Sequence, residues 1–177
     1  MKVYLVELLR HNLSKKYNVI RKATFNDYDA IWQIFHAVIQ TGDTYVFAPN
    51  TPKEDLKKHW FASYMHTYVF EKGGQILGTY IVKPNQLDLG SHIANASYMV
   101  HPKAQGKGIG KKLCAHSLEL AKSLKFIGMQ FNIVVSTNKA AVALWQKFGF
   151  EIIGTTPKGF KHKTLGLVET HIMYKEL

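Results

Sequence analysis

Only one cysteine, Cys114, stands among 177 residues, so no internal disulfide framework can brace this fold. That usage suits a reducing cytoplasm, the compartment expected here. Acidic residues are also scarce: 12 Asp and Glu face 23 Lys and Arg, leaving a net charge of +11. So few carboxylates argue against a polycationic substrate and for an anionic partner, whether a phosphorylated small molecule, a nucleic acid or a membrane surface. Long apolar runs are missing, so no membrane span is expected. Glu7 interrupts the short apolar start and no small-residue cleavage site follows, which speaks against a secretory leader. The histidines lack metal-ligand spacing: His59 and His66 are seven apart, with no H-x-x-x-H or cysteine partner, so no metal is expected. RNP, zinc-knuckle and helix-turn-helix signatures are absent, which weighs against nucleic acid.

What the sequence does contain is 46% hydrophobic and 12% aromatic residues, enough for one domain with a substantial core. Residues 1–18 read as an N-terminal extension and 19–177 as the domain. A strand is expected over 19–23. A helix over 28–40 follows, with Ile31, Ile34, Phe35 and Val38 at helical spacing. A second helix is expected over 51–65, with Pro52 in its first turn. Strands over 67–71 and 75–82 flank Lys72-Gly73-Gly74, a hairpin signal. Further strands are expected over 91–100, 129–135, 150–154 and 168–175, with helices over 108–125 and 138–148. The order implies an α/β fold: a mixed sheet with helices on both faces.

The informative stretch runs from Val100 to Gly110. A strand ends, and a glycine-rich turn opens a helix. Helix starts carry unpaired N–H groups and a partial positive charge, and glycine lets an anion approach them. Lys103, Lys107, Lys111 and Lys112 crowd the same turn, where cations oppose the helix dipole unless an anion binds. A solvated basic turn is the plainer alternative. Neither G-x-x-x-x-G-K-[ST] nor G-x-G-x-x-G fits this stretch. The spacing that does fit is Q-x-x-G-x-G, met by Gln105, Gly108 and Gly110. A second segment, Asn138 to Phe150, is an asparagine-led helix ending in Gly149-Phe150.

With these two segments in this order, separated by one strand, the chain resembles the GCN5-related N-acetyltransferase (GNAT) superfamily from about Val19 to Leu177. The resemblance implies a centrally splayed sheet, acetyl-CoA as cosubstrate and an amine as acceptor. It implies that the N–H groups of Gln105, Gly106, Lys107, Gly108, Ile109, Gly110 and Lys111 hold the pyrophosphate. It further implies that the backbone of Met99 and Val100 pairs with the pantetheine arm, that an N–H there polarises the acetyl carbonyl, and that Asn138 contacts the arm. As an N-cap, Asn138 can serve both purposes.

One departure stands out. Many relatives carry a Leu-Tyr pair before the closing Gly-Phe, the tyrosine serving as acid; here the pair is Leu144-Trp145. Indole is no acid at physiological pH. Either Tyr98 or Tyr45 takes that role, or both are packing residues and the thiolate leaves directly. Asn95 and Asn132 fall in strands expected to be buried, where an amide must be hydrogen-bonded or costs a few kcal/mol. They either hold the splayed backbone or face the cleft and act on acceptor or carbonyl. Asn95 and the segment 132–138 also resemble a GNAT branch containing fungal N-acetyltransferases of proline analogues, which implies a small amino- or imino-acid acceptor. Asp43 and Tyr45 lie in the loop where the family builds its acceptor wall. Asp43 can draw an ammonium or simply form a turn. Three alternatives to a small-molecule acetyltransferase stay open: a protein lysine or N-terminal acetyltransferase, a non-catalytic acetyl-CoA-binding module, and a nucleic-acid-binding module. No signal fixes the oligomeric state, and a homodimer is open.

Overall fold

The computed structural model describes residues 18–177. All but Asn18 of the expected N-terminal extension lies outside them. The elements are β1 (Asn18–Lys22), α1 (Tyr28–Ile39), α2 (Leu56–Trp60), β2 (His66–Lys72), β3 (Gln75–Pro84), β4 (Ile93–Val100), α3 (Ile109–Ser123), β5 (Gly128–Val135), α4 (Lys139–Lys147), β6 (Glu151–His162) and β7 (Gly166–Glu176). They form one seven-stranded mixed sheet in the order β1-β2-β3-β4-β5-β7-β6. No helix among the described residues is long and apolar enough to cross a membrane.

Each face of the sheet has its own core. On one face α1 buries Ile31, Ile34 and Phe35 against Val69, Ile81 and Met99. On the other, Leu113, Leu118 and Ala121 of α3 meet Tyr80, Ala94 and Met129. The alternation along β3 and β4 sends successive side chains to opposite cores. Gly78 brings α3 close to β3, since a Cβ there would lie 2.9 Å from Ile109 Cγ2. That approach seats the start of α3 against the end of β4.

Two elements differ from expectation. The second helix is a 3-10 turn over Lys53–Asp55 followed by only five α-helical residues. It stops because Thr67, entering β2, donates its hydroxyl to the Trp60 carbonyl and closes the helix end. The sixth strand, expected over 150–154, runs on to His162, and β7 starts two residues early to pair with it. They continue through irregularities at Ile152/Gly154 and Thr156/Phe160 as an exposed hairpin, whose solvated residues carry no hydrophobic alternation to read.

The centre of the sheet is open. β4 and β5 run parallel and pair only at Ile93↔Gly128 and Ala94↔Met129. Beyond Ala94 they separate. The Asn95 amide then donates to the Gln130 carbonyl at 2.8 Å, bridging the strands where backbone pairing ends. A register shift between Phe131 and Val134 bends β5 further away.

Candidate active site

Strand β4 supplies the polar edge of the opening. His101 N–H bonds to the Leu77 carbonyl, and Asn85 N–H to that of Ile93. Odd-numbered residues of β4 therefore direct their backbone groups at β3. Met99, paired with Thr79, is among them. The even-numbered Tyr98 and Val100 direct theirs into the gap. Of Met99 and Val100, Val100 is thus the residue whose backbone faces the gap between the strands. Sequence reasoning placed both there because register is not visible in a sequence.

The backbone of Tyr98 already has a partner. Its N–H donates to the Tyr45 hydroxyl at 3.0 Å, and that hydroxyl donates to the Tyr98 carbonyl at 2.6 Å. Burial raises the Tyr45 phenol above its usual value, opposed by the hydrogen bond it accepts from the Tyr98 N–H, so it stays protonated. The Tyr98 side chain points into the α3 face. Its hydroxyl is 2.7 Å from Ser117 Oγ, and its ring packs 4.9 Å from Trp145. Burial pushes this phenol well above its usual value too.

The strands open onto a cavity of about 350 Å³. Asn95, Asn132, Asn138, Tyr45, Tyr98 and Trp145 all line it. Asn132 Nδ2 donates to Asn85 Oδ1 at 2.8 Å, and its Oδ1 accepts from Gln130 Nε2 at 2.9 Å. Asn138 caps α4, its side chain accepting from Ala141 N–H at 3.1 Å. Asp43 does not line the cavity. Its carboxylate accepts from the Thr41 hydroxyl within the turn. Thr44 and Phe47 from the same loop line the wall instead, as does Lys83. Sequence reasoning missed Lys83, whose one signal was a lysine closing an apolar strand just before Pro84.

The glycine-rich turn lies at the start of α3. Gly106 and Gly108 both have φ +73, and Gly108 is the residue before the first helical turn. A Cβ at either would meet nothing within 4 Å, so space stands free above the turn. Glycine is required there by backbone conformation rather than by crowding. Gln105, Lys107 and Lys111 are exposed around it, while Ile109 is buried. Lys103, Lys107, Lys111 and Lys112 take part in no salt bridge among the described residues. An open left-handed turn, a 15-residue helix behind it and unpaired lysines around it fit a pyrophosphate. Cys114, buried inside α3, has its thiol pushed by burial up to about 12 and stays protonated.

Residues 28–150 match the acetyltransferase (GNAT) family, and this stretch holds both the turn and the opening. The chain belongs to that family. A GCN5-related N-acetyltransferase from Kribbella flavida is 36% identical, with a TM-score of 0.86 over 92% of this chain and 99% of that one. The N-acetyltransferase aca1 of Schizosaccharomyces pombe is 35% identical over 79 residues, 45% of this chain and 38% of that protein. The match thus spans well under half the length of that curated relative. A phosphinothricin acetyltransferase from Sinorhizobium meliloti, solved with acetyl-CoA, shares the fold at a TM-score of 0.82 and 20% identity over 90% of this chain and 88% of that one. GNAT acetyltransferases transfer an acetyl group from acetyl-CoA, and the splayed strands and the turn are the parts of this chain that fit that cosubstrate.

Proposed function

We propose that this chain transfers the acetyl group of acetyl-CoA to the amine of a small molecule, with an amino-acid-like acceptor favoured. One observation carries the reading: a phosphate-fitting turn stands at the start of α3, beside an opening between β4 and β5 that leads to a cavity of about 350 Å³. That size suits a small acceptor better than an extended peptide.

Acetyl-CoA, when bound, supplies an activated acyl thioester. The protein's part is to hold and polarise it. The N–H groups from Gln105 to Lys111 would bind the pyrophosphate, and the Val100 backbone and Asn138 would hold the pantetheine arm. The Tyr98 N–H, directed into the gap, would polarise the acyl carbonyl. Asn95, on β4, and Asn132, across the gap on β5, would orient the acceptor. The attacking amine loses one proton and the leaving thiolate gains one. With Trp145 unable to donate, the Tyr45 hydroxyl at the cavity wall would supply it on release from the Tyr98 carbonyl.

Turnover with a broad amine panel, read as released thiol and as acetylated product by mass, tests this. The expected result is amine-dependent thiol release with small amines. Acetylation confined to protein lysines or N-termini would transfer the assignment to a protein acceptor. Tight acetyl-CoA binding without turnover on any amine would leave a non-catalytic module. Binding itself is checked by melting. At 100 times the dissociation constant acetyl-CoA stabilises by about 2.7 kcal/mol, roughly 5–10 °C for a domain of this size.

A further inference from the structure

Among the residues that line the cavity, Lys83 alone is charged; no Asp or Glu is present. It makes no salt bridge among the described residues. It sits half-buried near the end of β3, opposite Asn95 in the register, so the two side chains leave the same face of the sheet. That face is the one covered by α1 and α2: Ile81, two residues before Lys83, belongs to its core. It is the face opposite α3 and α4, and so opposite the phosphate-fitting turn. Each neighbouring amide already spends one of its two donors, Asn95 Nδ2 on Gln130 O and Asn132 Nδ2 on Asn85 Oδ1. The Lys83 ammonium, 6.0 Å from the Tyr64 ring centroid, is therefore a strong donor at this wall with no anion opposite it.

A half-buried cation in an acid-free cavity repels a cationic partner and attracts an anionic one. It also favours the unprotonated form of any amine beside it, which is the nucleophilic form. We propose that Lys83 anchors a carboxylate of the acceptor and so selects amines that carry one. This rests on the small-molecule reading above and adds to it the residue that sets acceptor charge. Polyamines and plain alkylamines lack the group that Lys83 would bind.

The test compares L-alanine, L-leucine and L-proline with their carboxamides in the wild type, Lys83→Met, Lys83→Gln and Lys83→Arg. Each variant's melting temperature is recorded, so that a folding defect in one is covered by the others. The readout is the ratio of kcat/KM for each acid to that for its amide. Comparing this ratio between wild type and variant cancels general losses of activity and the different amine basicities. We expect the ratio to fall about 10- to 100-fold in Lys83→Met and Lys83→Gln, the scale of one charge-assisted hydrogen bond, and to be partly kept in Lys83→Arg. An unchanged ratio in folded Met and Gln variants overturns the role of Lys83 while leaving small-amine acetylation standing. A wild type that acetylates none of the six compounds but does acetylate other small amines also overturns it alone. A wild type that acetylates no small amine overturns both readings together.

Discussion

The hydroxyl of Tyr45 satisfies both backbone groups of Tyr98, accepting from its N–H at 3.0 Å and donating to its carbonyl at 2.6 Å, where β4 has parted from β5. Parted strands expose polar groups that a continuous ladder would have paired, and unpaired groups away from water are costly. Tyr45 takes the place of the missing strand. A ligand pairing with the same strand edge would take over part of that role.

Replacing Tyr45 by Phe should therefore destabilise the free protein by about 1–3 kcal/mol, the cost of leaving polar groups unpaired. The penalty should shrink in saturating acetyl-CoA, because the cosubstrate would meet the same N–H. Melting temperatures of wild type and variant, each with and without acetyl-CoA, measure the two gaps. Equal gaps would mean that the cosubstrate does not reach the Tyr98 backbone. If Tyr45 also supplies the proton, turnover falls in the variant even at saturating acetyl-CoA, by a factor that stays constant from acid to mildly alkaline pH, because the raised phenol is protonated throughout.

The turn before α3 can be tested with a matched pair. Gly108 has φ +73 with open space above it, so Asn and Asp pay the same left-handed cost, on the order of 1–2 kcal/mol. They differ in charge. Gly108→Asp should abolish acetyl-CoA binding, while Gly108→Asn should fold equally well and weaken binding less. Binding by calorimetry, with melting curves for both, separates the charge effect from strain. Equal affinities would place the pyrophosphate elsewhere.

Much of this was legible in the sequence, and the physical reasons differ by element. The 28–40 helix shows because one face is buried against one core, and Gly106 and Gly108 show because left-handed turns need glycine. The splay between β4 and β5 followed only from family resemblance, since strand pairing is a tertiary property. Lys83 was invisible for the same reason: a lysine after an apolar strand looks like a solvated end, and only the acid-free cavity gives it meaning. Asp43 was the reverse case, since a turn-forming Asp and a substrate-binding Asp read alike until the Thr41 hydroxyl is seen bonded to it.

Away from the site, Arg21 holds two buried carboxylates, Asp27 at 2.8 Å and Glu71 at 2.8 Å. Burial would raise the Asp27 pKa, but hydrogen bonds from Arg21 and Thr24 outweigh it and hold it below 3.8. The folded-state pKa is the lower one, so this stabilisation is present above pH 3.8 and is lost as pH falls through the folded value. Arg21→Gln should cost about 2–4 kcal/mol at pH 7, toward the lower end for orphaning a buried charge, because the guanidinium is partly exposed and screened. Urea midpoints from pH 3 to 7 check this. The gap between wild type and variant should narrow below pH 4, as Asp27 becomes neutral in both.

The three asparagines separate cosubstrate binding from chemistry. Asn138 caps α4 through Ala141 N–H, so Asn138→Ala should cost about 1 kcal/mol of stability and, if it also holds the pantetheine arm, weaken acetyl-CoA binding. Asn95 bridges β4 to β5, and Asn132 bonds to Asn85 and Gln130 at the cavity mouth. If their purpose is to orient acceptor or carbonyl, Asn95→Ala and Asn132→Ala keep their acetyl-CoA affinity. Their turnover falls, by about 10²–10³ where one oxyanion donor is lost. If their purpose is to hold the parted strands, stability falls by about 1–3 kcal/mol and turnover per folded molecule is unchanged. The bond from Asn95 to the Gln130 carbonyl makes a mixed outcome the expectation for Asn95: lower melting temperature and lower turnover together. Asn132 is exposed and bonded only to other side chains, so its removal should leave stability within about 0.5 kcal/mol and act on turnover alone. Melting temperature, acetyl-CoA affinity and turnover measured on the same three variants decide between the roles. Normal turnover in a stable Asn132→Ala would remove Asn132 from the chemistry, whatever Asn95 shows.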